Sequence, residues 1–222
     1  MAWLLSSGIP ALAKGPLQWD QWRLVPGVFD VAAPASPAVG GGILLETDRG
    51  LNQMDPVTGS VGFIFSAFRP DPGGEEYLAV GTGLSVPGAG CRWDPNSVFV
   101  LKSGVPATLL TIHPPADLAM PAQVPGVETI SGMAFDRWGR FGNRLLVAGT
   151  HAGSSIVVAV DCNGKVTRVT NSAPLMEGGM EVAPPTFGPY GGALIGADET
   201  TGRIIAIRAD GTSQRVAING LP

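Results

Sequence analysis

Punctuation by glycine and proline constrains this chain more than any other feature. Its 222 residues hold 32 Gly and 20 Pro, and the longest stretch free of both is residues 154–163. An ordinary helix needs about 10–14 residues and accepts neither type readily in its interior. A helical fold is therefore excluded. Hydrophobic residues make up 45% of the chain and mean hydropathy is +0.24, which excludes disorder as well. What remains is a set of short strands joined by many turns, in a chain long enough to bury a substantial core.

The turns recur at a period. Laid without a gap over the segment from Gly178, the segment from Gly27 matches it at Gly27/Gly178, Val31/Val182, Ala32/Ala183, Pro34/Pro185, Gly40/Gly191 and Gly41/Gly192. A third copy places Gly132 and Met133 on Gly179 and Met180, and Phe141, Gly142 and Leu145 on Tyr190, Gly191 and Leu194. The unit is about 45–50 residues long, the size of one blade of a radial repeat fold. In the last copy it contains four short apolar runs, at 179–183, 193–197, 203–207 and 213–217, bounded by turn residues. Ala209-Asp210-Gly211 and Cys162-Asn163-Gly164 are tight hairpin turns, because Asp or Asn before Gly tolerates positive φ.

Four antiparallel strands per repeat predict an all-β chain, a β-propeller of four-stranded antiparallel blades. A sandwich is the alternative, but it does not require a whole four-strand unit to recur. Repeat units are expected at 27–68, 75–112, 129–171 and 178–217, within one domain spanning 1–222. Residues 1–25 would complete or close the ring, giving five blades or a truncated six-bladed propeller. In the 75–112 unit, the runs at 77–80, 97–101 and 107–112 read as its second, third and fourth strands, with the innermost strand unassigned.

Several functions are excluded. The 14 Lys and Arg against 18 Asp and Glu give a net charge of -4 with no basic cluster, so nucleic acid is not an expected partner. No apolar run is long enough to span a membrane as a helix. Residues 1–13 lack a basic leader and do not read as a signal peptide; they read as a first strand or as a start partway into a longer product. Two cysteines and two histidines cannot form a structural zinc finger. The sequence carries no G-x-S-x-G, H-E-x-x-H, P-loop, Rossmann or EF-hand pattern. Arg137, Arg140 and Arg144 read as partners of carboxylates, and Trp138 and Phe141 as packing between blades.

The run Glu177-Gly178-Gly179-Met180-Glu181-Val182, followed by Gly192 to Asp198 and by Gly202-Arg203-Ile204, resembles the six-bladed propellers of the NHL and SMP-30/gluconolactonase-like group, especially secreted bacterial members. The resemblance implies an extracytoplasmic protein. It also implies a divalent cation, calcium above all, held in the central mouth by Glu, Asn and Asp. Glu177 stands where such a glutamate would, just before an innermost strand. No asparagine stands at the tops of the other innermost strands.

Propeller strands alternate in direction, so loops between second and third strands share a face with the connections between blades. The long loops at 81–96 and 113–128 are expected on that face, as a cap with Trp93 and the Pro-rich run at 114–125 as its apolar parts. The same face is expected to collect Asp48, Glu128, His151, Glu177, Asp198 and Glu199. Converging oxygen ligands suit calcium or magnesium, and crowded carboxylates raise one another's pKa. Glu181 lines the channel or pairs with Arg203 or Arg215. With this topology Cys91 and Cys162 lie on opposite faces, as two free thiols.

The expected function is a monomeric binding module for a small-molecule or extended polymer ligand. Trp93, His113, Glu128, Asp48 and Glu199 would form its surface. The alternative is a metal-dependent lactonase or esterase-like hydrolase. Glu177 and Asp198 would then be metal ligands, with Asp198 as a second ligand or base and His151 as the proton carrier. A third reading is a scaffold without a small-molecule site. Asp48, Asp198 and Glu199 also read simply as turn residues.

Overall fold

The computed structural model describes residues 25, 27–32, 42–65, 68–70, 76–113, 117–198 and 200–216. They form four antiparallel four-stranded sheets, the blades of a β-propeller. Blade 1 contains β1 (Val28–Ala32), β2 (Ile43–Thr47), β3 (Gly50–Met54) and β4 (Val61–Phe65). Blade 2 begins with β5 (Glu76–Val80). A small ribbon, β6 (Ser85–Val86) and β7 (Cys91–Arg92), separates β5 from β8 (Val98–Lys102), β9 (Ala107–His113) and β10 (Asp117–Val124). Blade 3 is β11 (Thr129–Phe135), β12 (Leu145–His151), β13 (Ser154–Val160) and β14 (Val166–Ala173). Blade 4 is β15 (Glu177–Val182), β16 (Leu194–Asp198), β17 (Arg203–Ile207) and β18 (Ser213–Arg215). No helix among the described residues is long and apolar enough to cross a membrane.

Each middle blade is buried on both faces, which is why its strands read as continuous apolar runs. In β8, Val98 and Val100 join Leu44, Leu51, Phe65 and Leu78 in the layer between blades 1 and 2. Phe99 and Leu101 point the other way, joining Phe135, Leu145 and Val147 between blades 2 and 3. A third layer, with Leu146, Val157, Val182, Leu194 and Ile205, fills the space between blades 3 and 4. Burying one such side chain contributes about 1.5–3 kcal/mol. The outermost strand of blade 2 contains Pro121 at a register shift, a place where a missing N–H costs little.

The innermost strands β1, β5, β11 and β15 pack in that order around an axis. Among the described residues β15 and β1 make no comparable contact, so strand packing does not close the circle there. The described blades number four, not five or six. The expected N-terminal unit lies outside the described residues except for Val25, as do residues 33–41 and 114–116.

The expected strand order in blade 2 is corrected. β5 is its innermost strand, pairing only with β8, and the run at 117–124 is its outer strand rather than a loop. Periodicity marks the 77–80 run as a strand but does not say that it is the first of its blade. Shifting one strand reverses the face on which every later loop of the blade lies. Segment 81–97 therefore joins first and second strands. It lies on the exit side, where innermost strands end, and not on the entry side, where they begin. It forms a strap towards blade 3, and no cap from these two segments stands on the entry side.

The same slip explains the cysteines. Cys91 in the strap and Cys162 in the outer turn of blade 3 are both on the exit side, and they form a disulfide with Cα atoms 5.8 Å apart. The expectation of two free thiols is overturned. Asn163 Nδ2 donates to Ala89 O at 2.8 Å, and Asn143 Nδ2 to Ser85 O at 2.9 Å, tying the strap to blade 3 at two further points. Gly164 has φ +80°, and a Cβ there would lie 1.9 Å from Pro121 O, so this turn requires glycine twice over.

Candidate functional site

Where four innermost strands converge, their inner backbone edges have no neighbouring strand, and the axis is left as a cavity. It measures about 310 Å³. Its wall comes from all four blades: Asp30 and Val31 of β1, Tyr77 to Val80 of β5, Met133 to Phe135 of β11, and Gly178 to Glu181 of β15. Arg137, just beyond β11, completes it on the exit side. The glycines of β15 thin the wall, and Val31 and Met180 give it apolar surface.

Three charged groups stand in this wall. Asp30 accepts a hydrogen bond from Leu78 N at 2.6 Å, which fixes its carboxylate across the β1–β5 junction. Glu181 is open to solvent in the channel, yet the surrounding wall desolvates its carboxyl enough to raise it above its ordinary range; the Val182 N–H and the charge of Arg137 oppose that rise. Glu181 thus lines the channel, one of the two placements its sequence position allowed. Arg137 lies in the same wall, although its sequence neighbourhood pointed to a surface ion pair. Asp30 gave no signal beyond its match to Glu181 in the repeat.

The entry side holds a second set. Glu128 Oε1 and His151 Nδ1 are 2.9 Å apart, both exposed, and Glu128 Oε2 accepts from Ala152 N at 3.3 Å. Ala152 has φ +49°, so this carboxylate braces a left-handed turn. Asp48 sits in the β2–β3 turn of blade 1 beside a 360 Å³ cleft lined by Arg49, Asn52, Val61 and Phe63. Glu177 begins β15 opposite Ala197. Asp198, the next residue along, projects from the other face of that sheet, because side chains alternate along a strand. Its carboxylate accepts from Thr200 N at 3.1 Å, Thr201 N at 3.2 Å and Thr201 Oγ1, which hold it below the usual carboxylate range, the hydroxyl contributing most. Glu199 lies outside the described residues.

Glu128 and His151 are therefore brought together, whereas Glu177 and Asp198 are not placed to share a ligand. Among the described residues no three His, Cys, Asp or Glu side chains converge as a metal-binding group. Among the described residues the entry side gathers no ligand set for the calcium that the resemblance implied.

Trp93 and His113 belong to the exit side, and Trp93 is not a ligand-facing cap residue. It is 3% exposed. Its ring meets Phe99 and Phe135 edge-on at centroid distances of 5.1 and 5.0 Å, and its Nε1 donates to Asn143 O at 2.8 Å. It is the anchor of the strap. His113 Nδ1 lies 2.7 Å from Ser97 Oγ and 3.5 Å from Asp94 Oδ2. This Ser–His–Asp trio cannot act as a nucleophilic relay, since both partners approach the same ring nitrogen and Ser97 is fully buried. Asp136, also buried, accepts from Trp138 N, Phe141 N and Asn143 N and so organises the turn that carries Arg137.

This geometry defines the class: a β-propeller with a polar axial cavity. No family model matches the chain, and no curated protein does. Among solved structures the fold is similar to a streptogramin B lyase, at TM-score 0.51 and 10% identity, over 85% of this chain and 54% of that one. It is similar to regucalcin, described as a calcium-binding protein, from Agrobacterium tumefaciens, at TM-score 0.50 and 14% identity, over 79% and 55%. It is also similar to a 6-phosphogluconolactonase-like protein of Bacteroides uniformis, at TM-score 0.52 and 11% identity, over 85% and 53%. The chain spans little more than half the length of these three propellers.

Proposed function

We propose that this propeller is a binding module that holds one small polar ligand, of sugar or sugar-acid type, in its axial cavity. The observation that carries this reading is the convergence of Asp30, Glu181 and Arg137 on one cavity with an apolar floor. Carboxylates accept from ligand hydroxyls, the guanidinium donates in a fixed fork, and Val31 and Met180 offer apolar surface to the ligand's C–H face. A volume near 300 Å³ is at the small end of ligand sites. The experiment is calorimetric titration with a panel of monosaccharides, aldonic acids and their lactones. Binding weakened about tenfold or more by Glu181→Gln or Arg137→Ala supports the reading, since a lost charged hydrogen bond is worth about 1.5–3 kcal/mol. Absence of binding across the panel overturns it.

The hydrolytic reading is favoured by one contact, the Glu128–His151 pair on the entry side. Turnover of lactones or aryl esters by the wild type, abolished in His151→Ala, would put catalysis in place of simple binding. An extracytoplasmic location is part of the proposal. Its support is the Cys91–Cys162 disulfide, because such bonds persist in oxidising compartments.

A further inference from the structure

A group unrelated to ligand binding is buried in the layer between blades 1 and 2. Glu46 of β2 is fully buried, and neither of its carboxyl oxygens has a hydrogen-bond partner among the described residues. The alternation of β2 puts Glu46 on the same face as Leu44, towards blade 2. From that blade Glu76 of β5 faces it, with a side chain that is also fully buried and an Oε1 that lies 3.2 Å from Lys102 Nζ of β8. The register partner of Glu46 on β1 is Asp30. Its partner on β3 is Leu51, which does not titrate. The other nearby cation, Arg69, is directed to Arg49 O and Phe68 O.

Three carboxyls and one ammonium therefore occupy this corner. Lys102 compensates one negative charge, that of Glu76, and Asp30 has its donor in Leu78 N. A charged Glu46 would be a buried anion beside two others with no donor of its own, a state that burial penalises heavily. A neutral Glu46 instead has an O–H to share with the facing carboxylate. We propose that Glu46 and Glu76 hold one proton between them, and that this proton fastens blade 1 to blade 2, so that the junction loosens as the proton is lost. Burial first, then the facing Glu76 and the charge of Asp30, push the Glu46 carboxyl up to about 9, with Lys102 opposing.

The sign follows from that direction. A carboxyl held above its unfolded value contributes stability that is complete below the unfolded pKa and is lost as pH rises towards the folded one. Here the window runs from about 4.5 to about 9.

The test is the melting temperature of wild type and Glu46→Gln across that window. Wild type is expected to melt about 5 °C or more lower near the alkaline end than near the acid end. Glu46→Gln, which mimics the neutral carboxyl, is expected to remove most of that fall and to melt above wild type near the alkaline end. An equal fall in both proteins overturns the proposal. The infrared spectrum in deuterated buffer supplies a second measurement. A protonated-carboxyl band present at neutral pH in wild type and lost in Glu46→Gln supports the shared proton; no such band in wild type, or a band unchanged by the substitution, overturns it.

Discussion

At the scale of single residues, aspartates in this fold act mostly through backbone N–H groups. Asp55, Asp94, Asp136, Asp161, Asp198 and Asp210 each accept from amides two or more residues ahead, the local bonding that makes Asp a turn former. This is why a list of carboxylates on one face was a poor guide to a site: Asp198 was legible as acidic, but its lone pairs are already engaged. The informative carboxyls are those with few donors, Glu46 and Glu181, and both sit in strands where nothing local advertises them. Asp136 gives the clearest residue-scale expectation. Asp136→Ala leaves three amides of the 137–143 turn without their acceptor and should cost about 2–4 kcal/mol, read as a shift in the urea midpoint with little change in slope.

At the scale of elements, the repeat was legible because turn chemistry recurs: the Gly191-Gly192 and Asn163-Gly164 positions mark blade turns, and β13 and β17 stand where their aligned sequences place them. In blade 2 the sequence pattern points to a strand order shifted by one, and that single shift accounts for the expected cap, the ligand-facing Trp93 and the separated thiols. Periodicity fixes which face of a strand is buried, but it does not say which strand of a blade is first. Tertiary contact decides that. The strap carries two expectations. Replacing both Cys91 and Cys162 with Ser should lower stability by about 2–4 kcal/mol, because the unfolded chain regains the freedom of a loop spanning 71 residues. Gly81→Ala should displace the strap, since a Cβ there would sit 1.9 Å from Asp94 O. Because Trp93 anchors the same strap, that displacement should appear as a shift in tryptophan emission.

At the scale of the whole molecule, three apolar layers join four blades, and among the described residues no such layer covers the outer face of either end blade. Phe29, Val31, Val61 and Phe63 of blade 1 are exposed accordingly, Phe63 at 57%. Phe63→Ser should therefore change folding stability by no more than about 0.5 kcal/mol, measured by chemical denaturation, whereas Phe99→Ala, in the layer between blades 2 and 3, should cost about 3–5 kcal/mol. Amide exchange should follow the same gradient, with β12 and β13 of blade 3 slowest and β18 fastest.

The sulfur bridge between Cys91 and Cys162 encloses the turn that bears Arg137 and Arg140. A trypsin incision after either arginine would sever the polypeptide without releasing a fragment. On a gel run without reductant the clipped protein would migrate as one species, and only dithiothreitol would part it into two.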